Sequence, residues 1–89
     1  MLDLRDLHCF VTVYEVAGFA KAAERLNTVQ SNVSARIRRL EMQIGAPLFE
    51  RLHRSIRPTA KGDTLYRYAK PVLENVSALE VAIKGKNAA

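Results

Sequence analysis

Cysteine and histidine are scarce in this sequence of 89 residues. Cys9 is the only cysteine, and His8 and His53 are the only histidines. A single cysteine cannot form an intramolecular disulfide, and this usage favours a reducing compartment, so we expect a cytoplasmic protein. Two isolated histidines without a Cys-x-x-Cys pair do not supply the ligand spacing of a zinc site. We therefore predict neither a metal nor another cofactor.

Motifs for catalysis and long apolar runs are also missing. The sequence contains no G-x-S-x-G, no P-loop and no dinucleotide-binding fingerprint. No apolar run reaches the ~18 residues that a membrane span requires, and no signal-peptide pattern opens the chain. We expect a soluble protein that is not an enzyme and that does not associate with a membrane.

What the sequence does have is an excess of positive charge in its middle third. The net charge is +5, from 14 Lys and Arg against 9 Asp and Glu. Residues 30–61 contain seven of the basic side chains and two of the acidic ones, whereas the rest of the chain contains seven of each sign. An imbalance concentrated in this way is typical of a surface that binds a polyanion.

Apolar residues at helical spacing predict three helices in the first half of this single small domain. We place them at residues 3–16, 20–26 and 30–44, with the third ending at Gly45 before Pro47. Only a few residues separate the second helix from a third whose outer face is basic. This arrangement predicts a helix-turn-helix.

The third predicted helix has two different faces. Its apolar stripe consists of Val33, Ile37, Leu40 and Ile44. The opposite face consists of Ser31, Ala35, Arg38 and Met42, flanked by Asn32 and Arg39. Short polar groups and arginines suit close entry into a DNA major groove. An ordinary amphipathic helix with a solvated basic face would show the same pattern.

After Pro47 the sequence predicts a short hairpin and then a long helix. Residues 48–51 and 55–58 can pair as strands around an arginine-bearing tip, which would form the wing of a winged helix; an irregular loop is the alternative. Thr59 is the predicted N-cap of a helix of about 25 residues, a rod of roughly 38 Å. Pro71 removes one backbone hydrogen bond from that helix and can bend it.

The long helix carries an apolar heptad seam. The seam consists of Leu65, Ala69, Val72, Val76, Leu79 and Ile83. A rod of this length exceeds what a three-helix core needs, so we predict that part of the seam packs against a partner chain. The tail, residues 85–89, has the composition of a linker.

Six short motifs resemble the amino-terminal DNA-binding region of the LysR-type transcriptional regulators. They are L-x-x-F at 7–10, G-F-x-x-A-A-x-x-L at 18–26, Q-S-x-V-S at 30–34, R-x-L-E at 38–41, G-x-x-L-F-x-R at 45–51 and T-x-x-G at 59–62. Each motif is weak alone, but six in the right order and at the right spacing are specific. The resemblance covers essentially the whole chain.

The resemblance implies a mostly α fold, in which a winged helix-turn-helix of three helices and a β-hairpin wing occupies residues 1–58. A linker (dimerisation) helix and the start of a hinge would occupy residues 59–89. A larger effector-binding domain, which would bind a coinducer, is expected to be absent here. The implied function is sequence-specific binding of double-stranded DNA at partly palindromic promoter sites, as a homodimer that becomes a tetramer at full length, to control transcription.

Residue by residue, the resemblance implies that Gln30, Ser31, Ser34 and Ala35 read base edges in the major groove, and that Arg54 enters the minor groove. We add Arg36 as a further base reader. The predicted contacts to phosphates and through the wing are made by Thr28, Asn32, Arg38, Arg39, Arg54, Arg57 and Lys61.

Three residues depart from the common pattern of these regulators. Ala35 stands where many relatives have arginine; its methyl can touch a thymine methyl but cannot hydrogen-bond guanine, and Arg36 or Arg38 would have to compensate. Ser31 replaces a frequent proline. Val29 replaces a frequent capping serine, so the third helix must be capped by Thr28, by Ser31 or by no side chain.

Two other functions fit parts of the pattern. In a protein-interaction module, the heptad helix would bind a partner and the basic face would only increase solubility. RNA would also attract the positive charge, but a helix presented for groove entry fits B-form DNA better than the deep, narrow A-form groove. Salt dependence separates the first alternative from DNA binding, since each neutralised phosphate contributes a log–log slope of about −0.9.

Overall fold

A computed structural model describes residues 1–85 of the chain and confirms a winged helix-turn-helix followed by a long helix. The predicted linker tail therefore lies, from residue 86 onward, outside the described residues. The elements in chain order are α1 (Leu4–Val16), α2 (Phe19–Arg25), α3 (Gln30–Ile44), β1 (Phe49–Arg51), β2 (Ile56–Pro58) and α4 (Ala60–Lys84).

The first two helices each start one residue away from the predicted start because of their N-caps, and α2 also ends one residue earlier than predicted, at Arg25. Asp3 caps α1 from outside the helix, since its carboxylate accepts a hydrogen bond of 2.7 Å from the Arg5 backbone N–H. Gly18 takes the extended cap position of α2, which therefore begins at Phe19. Ala17 ends α1 in the left-handed conformation, with φ of 58°.

The third helix has the predicted bounds. Gly45 ends it in the left-handed conformation, with φ of 83°, where glycine is favoured. Val29 occupies the N-cap position without a side-chain hydrogen bond. No side chain therefore caps α3, neither that of Thr28 nor that of Ser31. In the first turn, the backbone N–H groups of Asn32 and Val33 donate to the Val29 carbonyl at 3.1 and 3.3 Å.

The core lies between α1, α2 and α3 and extends under the hairpin and α4. Its buried apolar side chains are Leu7, Cys9, Phe10, Val11, Val13, Phe19, Ala22, Ala23, Val33, Ile37, Leu40, Leu48, Phe49 and Ala69. The Phe49 ring joins the hairpin to this core, with its centroid 5.4 Å from that of Phe10 and 6.1 Å from that of Phe19. Burial raises the pKa of the Cys9 thiol to about 11, as expected for a core residue.

The hairpin pairs β1 and β2 antiparallel, each strand one residue shorter than predicted. The Leu52 N–H donates to the Ser55 carbonyl at 2.8 Å, which leaves His53 and Arg54 at the apex. Arg51 lies over the Phe19 ring, with its guanidinium carbon 4.6 Å from the centroid. This cation–π contact fixes the base of the wing against α2.

The start of α4 is joined tightly to the hairpin. Thr59 caps the helix as predicted: its hydroxyl accepts a bond of 3.0 Å from the Gly62 N–H and donates one of 2.8 Å to the Pro47 carbonyl. Gly62 is buried, and a Cβ built on it would overlap the carbonyl oxygen of Leu48. The helix continues through Pro71 to Lys84. Within residues 1–85, none of the helices combines the length and apolarity needed to cross a membrane.

The first half of α4 is held on α1 by an aromatic and ionic contact. The Tyr14 and Tyr66 rings stack with centroids 3.9 Å apart. Tyr14 donates a hydrogen bond of 2.8 Å to Asp63, and Tyr66 donates one of 2.7 Å to Glu15. Lys70 also bonds Glu15, at 2.6 Å, and the bonds from Lys70 and Tyr66 lower the pKa of that carboxyl.

The predicted heptad seam divides along α4. Ala69 is buried in the core of its own chain, so its predicted place in an interface between two chains is wrong. Leu65 and Val76 are half-buried. By contrast, the exposed fractions are 43% for Val72, 58% for Leu79 and 76% for Ile83. The outward part of the seam thus lies mainly in the second half of the helix.

Candidate nucleic-acid interface

The outer face of α3 is accessible from its first residue. The predicted stripe faces inward, with Val33, Ile37 and Leu40 buried and Ile44 half-buried. On the other side, the predicted contact residues are exposed except for Ser34, which is half-buried; they are Gln30, Ser31, Ser34, Ala35 and Arg38. Ser31, Ser34 and Ala35 have short side chains, so the middle of this face allows another surface to approach the helix backbone closely.

The start of α3 and the tip of the wing border one cleft of about 280 Å³. Gln30 lies on the α3 side of this cleft, and Arg54 and His53 lie on the wing side. Ala17 and Gly18, between α1 and α2, line it as well. The fold therefore brings the predicted base-reading end of α3 and the predicted minor-groove arginine to the same surface of the molecule.

Three predicted phosphate-binding cations are exposed and have no ion-pair partner among residues 1–85. They are Arg38, Arg54 and Lys61. Arg57 differs, because its Nε donates to Glu50 across the hairpin at 2.9 Å. Both side chains of this pair are more than half exposed, so solvent weakens the pair. Arg57 therefore stays accessible at the edge of the wing.

Arg36 and Arg39 lie on a different side of α3, the flank that faces α1. Arg36 donates a hydrogen bond of 2.8 Å from Nη1 to Asp6, and its side chain is only 24% exposed. The guanidinium of Arg36, a predicted base reader, is directed toward α1 and not toward the outer face of α3. Arg39 donates to the same carboxylate at 2.8 Å from Nε and 3.2 Å from Nη2, although its side chain is 54% exposed.

Asp6, which bonds two arginines of α3, is a residue of this surface that sequence reasoning missed. Its side chain is fully buried. Burial raises the pKa of this carboxyl, but the hydrogen bonds from Arg39 and Arg36 outweigh burial and bring the pKa below its ordinary value. A signal was present in the sequence, since Asp6 shares the inward stripe of α1 with Cys9, Phe10 and Val13, at spacings of i+3, i+4 and i+7. A carboxylate on a buried stripe needs a cationic or hydrogen-bonding partner.

Thr28 and Asn32, two further predicted contact residues, bond to each other. The Asn32 side-chain amide donates to the Thr28 hydroxyl at 3.1 Å, and both residues are half-buried. This pair joins the turn before α3 to the first turn of the helix. It leaves the Asn32 carbonyl oxygen and one amide hydrogen available to a ligand.

Comparison with known proteins identifies a relationship over most of the chain. A family model described as "Bacterial regulatory helix-turn-helix protein, lysR family" matches residues 4–63. The HTH-type transcriptional regulator CzcR of Bacillus cereus is 40% identical over 79 residues, which are 89% of this chain and 27% of that protein. The chain therefore spans about a quarter of the length of the curated relatives that it matches.

Two solved structures show the same fold. OxyR of Corynebacterium glutamicum superposes with a TM-score of 0.92 and 32% identity, over 98% of this chain and 27% of that one. The BenM_DBD/catB site 1 DNA complex superposes with a TM-score of 0.87 and 37% identity, over 98% of this chain and 96% of that one. The second similarity covers nearly all of both chains.

Proposed function

Because this chain belongs to the LysR family of bacterial regulatory helix-turn-helix proteins, we propose that it binds double-stranded DNA sequence-specifically, as the DNA-binding domain of a transcriptional regulator. One observation carries the proposal: the exposed face of α3 and the arginine-bearing wing tip share one surface, separated by a single cleft. The similarity to a protein–DNA complex at 37% identity supports it.

In this proposal the amino-terminal half of α3 enters the major groove. Gln30, Ser31 and Ser34 offer hydrogen-bonding groups to base edges, and Gln30 can bond adenine in a bidentate manner. The Ala35 methyl contributes an apolar contact to a thymine methyl and no hydrogen bond. Because the side chains of Ser31, Ser34 and Ala35 are short, the helix backbone would have to approach the bases closely for them to make these contacts.

The charged groups around this face would hold the DNA backbone. Arg38 follows the base-reading residues on α3, and Lys61 lies in the first turn of α4. Arg57 lies on β2 and Arg54 at the wing apex, from which Arg54 would enter the adjacent minor groove. Contacts of this kind fix orientation on the duplex and carry little sequence information.

The wider organisation is also a proposal. Residues 1–58 would form the winged helix-turn-helix, and α4 would be the linker helix that pairs two copies of the chain. A longer protein would add an effector-binding domain that takes a coinducer, would assemble as a tetramer on partly palindromic promoter sites, and would act in the cytoplasm. The assigned contacts provide binding only, so we propose no catalytic role.

Replacing Arg38 with Ala tests the phosphate contacts. We expect the affinity for every duplex to fall to a similar extent, and the plot of log affinity against log salt to flatten by about 0.9, the value for one phosphate. Fluorescence anisotropy with a labelled duplex, titrated at several salt concentrations, measures both quantities. Arg25→Ala is the matched control: Arg25 ends α2 and lines a cavity beside Glu15 and Lys70, so this variant should keep the wild-type slope.

The same titration distinguishes DNA binding from the protein-interaction module. A wild-type slope near zero, or no duplex binding at all, would contradict the proposed function. A steep slope that Arg38→Ala leaves unchanged would contradict only the assignment of Arg38.

Replacing Gln30 with Ala tests base reading. We expect the order of preference among sites to change, with a loss of about 1–3 kcal/mol at the preferred base pair if the contact is bidentate. Selection of bound duplexes from a random pool, carried out with wild type and variant in parallel, measures the change. Gln43→Ala is the control, since Gln43 is exposed in the last turn of the same helix. An unchanged ranking with Gln30→Ala would show that Gln30 reads no base.

A further inference from the structure

One carboxylate on α1 holds two of the three arginines of α3. Asp6 is fully buried, and its two oxygens accept three hydrogen bonds, one from Arg36 and two from Arg39. Arg39 donates from Nε and Nη2 in the fork geometry that suits a carboxylate. Arg38, the third arginine, has no partner in the described part of the chain.

These contacts fix where positive charge stands on α3. At 100° per residue, Arg38 points within about 20° of Ser31, on the groove-facing side, whereas Arg39 and Arg36 are turned about 80° and 140° away from Ser31, toward α1. A free arginine next to a DNA duplex can reach several phosphates, because its side chain is long and has many rotamers. Asp6 removes that freedom from two arginines and neutralises one of their two charges.

We propose that Asp6 is a positioning residue for DNA recognition, which holds Arg36 and Arg39 on the α1 side of α3 and thereby withholds them from the phosphates. The inference rests on the proposed function, because it concerns the same surface. Withholding two arginines keeps the sequence-independent part of the binding energy small. A larger share of the affinity then depends on Gln30, Ser31 and Ser34, which read bases.

Replacing Asp6 with Asn tests this inference, since Asn has the same shape and lacks the charge. Affinity is measured by anisotropy on a duplex selected from a random pool and on an unrelated duplex, at several salt concentrations. For the unrelated duplex, we expect the log–log slope to steepen by 0.9 to 1.8, for one or two additional phosphates. Affinity for this duplex at 0.15 M salt should rise about five-fold per added phosphate, and the ratio of selected to unrelated affinity should fall.

The control is Asp3→Asn, which changes the net charge by the same amount at the same end of α1. Asp3 is partly exposed and pairs with Arg5, not with a residue of α3. Asn is as good an N-cap as Asp, so the helix start is preserved. A general effect of charge would shift both variants equally, whereas the inference predicts a wild-type slope for Asp3→Asn.

Circular dichroism will show whether the Asp6→Asn protein folds. If it does not fold, the Arg36→Gln variant tests the inference instead. If Arg36 is withheld, Arg36→Gln alone should leave the salt slope unchanged, and in the Asp6→Asn background it should remove part of the added slope. A slope that Arg36→Gln alone flattens by about 0.9 would overturn the inference. A folded Asp6→Asn protein whose log–log salt slope is equal to or shallower than that of the wild type would also overturn the inference. Loss of salt-dependent binding in the wild type would instead count against the proposed function.

Discussion

Replacing Leu79 with Asp will separate the dimer that we propose and leave the helix-turn-helix folded. Leu79 is 58% exposed in the single chain, so the new carboxylate costs little there. In a paired seam the same carboxylate would be buried without a partner, which is strongly unfavourable. Sedimentation equilibrium should show a monomer, and circular dichroism should show unchanged helix content.

Loss of pairing should also reduce affinity for DNA that carries two half-sites. The second binding event is intramolecular in a dimer and bimolecular in the variant, so we expect affinity to fall by about 10²- to 10⁴-fold. Affinity for a single half-site should not change. Val81→Asp is the matched control, because Val81 is 60% exposed but lies about 200° around the helix from Leu79. A Leu79→Asp protein that still sediments as a dimer would exclude this seam as the interface.

Replacing Gly62 with Ala will destabilise the fold more than any other single methyl group added to a glycine. The added Cβ would overlap the Leu48 carbonyl oxygen, a backbone atom that cannot rotate away. Either α4 or the hairpin must move, at a cost of about 2–3 kcal/mol. In a domain of this size, that corresponds to a fall in Tm of roughly 10–20 °C. Thermal unfolding followed by circular dichroism measures it.

Gly18→Ser is the control for this prediction. A Cβ on Gly18 meets only the Lys21 side chain, at 3.7 Å, and the φ of −176° is open to any residue. Serine is also a better N-cap than glycine, so Tm should stay the same or rise slightly. Equal effects of the two substitutions would mean that Gly62 is not required for the close approach of α4 to the hairpin.

Local rules predicted the fold well. The bounds of α3 follow from its apolar periodicity and from Gly45, which ends the helix in a conformation that few other residues adopt. Thr59 marks the start of α4 because a hydroxyl at that position can cap the first turn. The one-residue errors at α1 and α2 arise from Asp3 and Gly18, which cap those helices from outside.

Contacts between distant segments could not be predicted in this way. Asp6 and Arg36 are 30 residues apart in sequence, so their pairing depends on how α1 packs against α3. The helical wheel places Arg39 beside the outer face and turns Arg36 partly toward the buried side, but it does not show that both bond one carboxylate on α1. The heptad seam could not be divided from the sequence either. Ala69 and Ile83 have the same heptad position, and only the packing of α4 on the rest of the fold buries the first and leaves the second exposed.

The α4 helix is attached to the rest of the fold along its first half, and its second half projects from it. Within residues 1–85, its side-chain hydrogen bonds to other elements all lie between Thr59 and Lys70. Packing against the rest of the fold continues to Leu73, and Val76 is half-buried. Eight further residues extend from Val76 to Lys84, a span of roughly 12 Å at 1.5 Å per residue, so a tilt of five degrees displaces the end of the helix by about 1 Å. In the dimer that we propose, the rigidity of this contact would determine how far apart the two DNA-binding units can be placed.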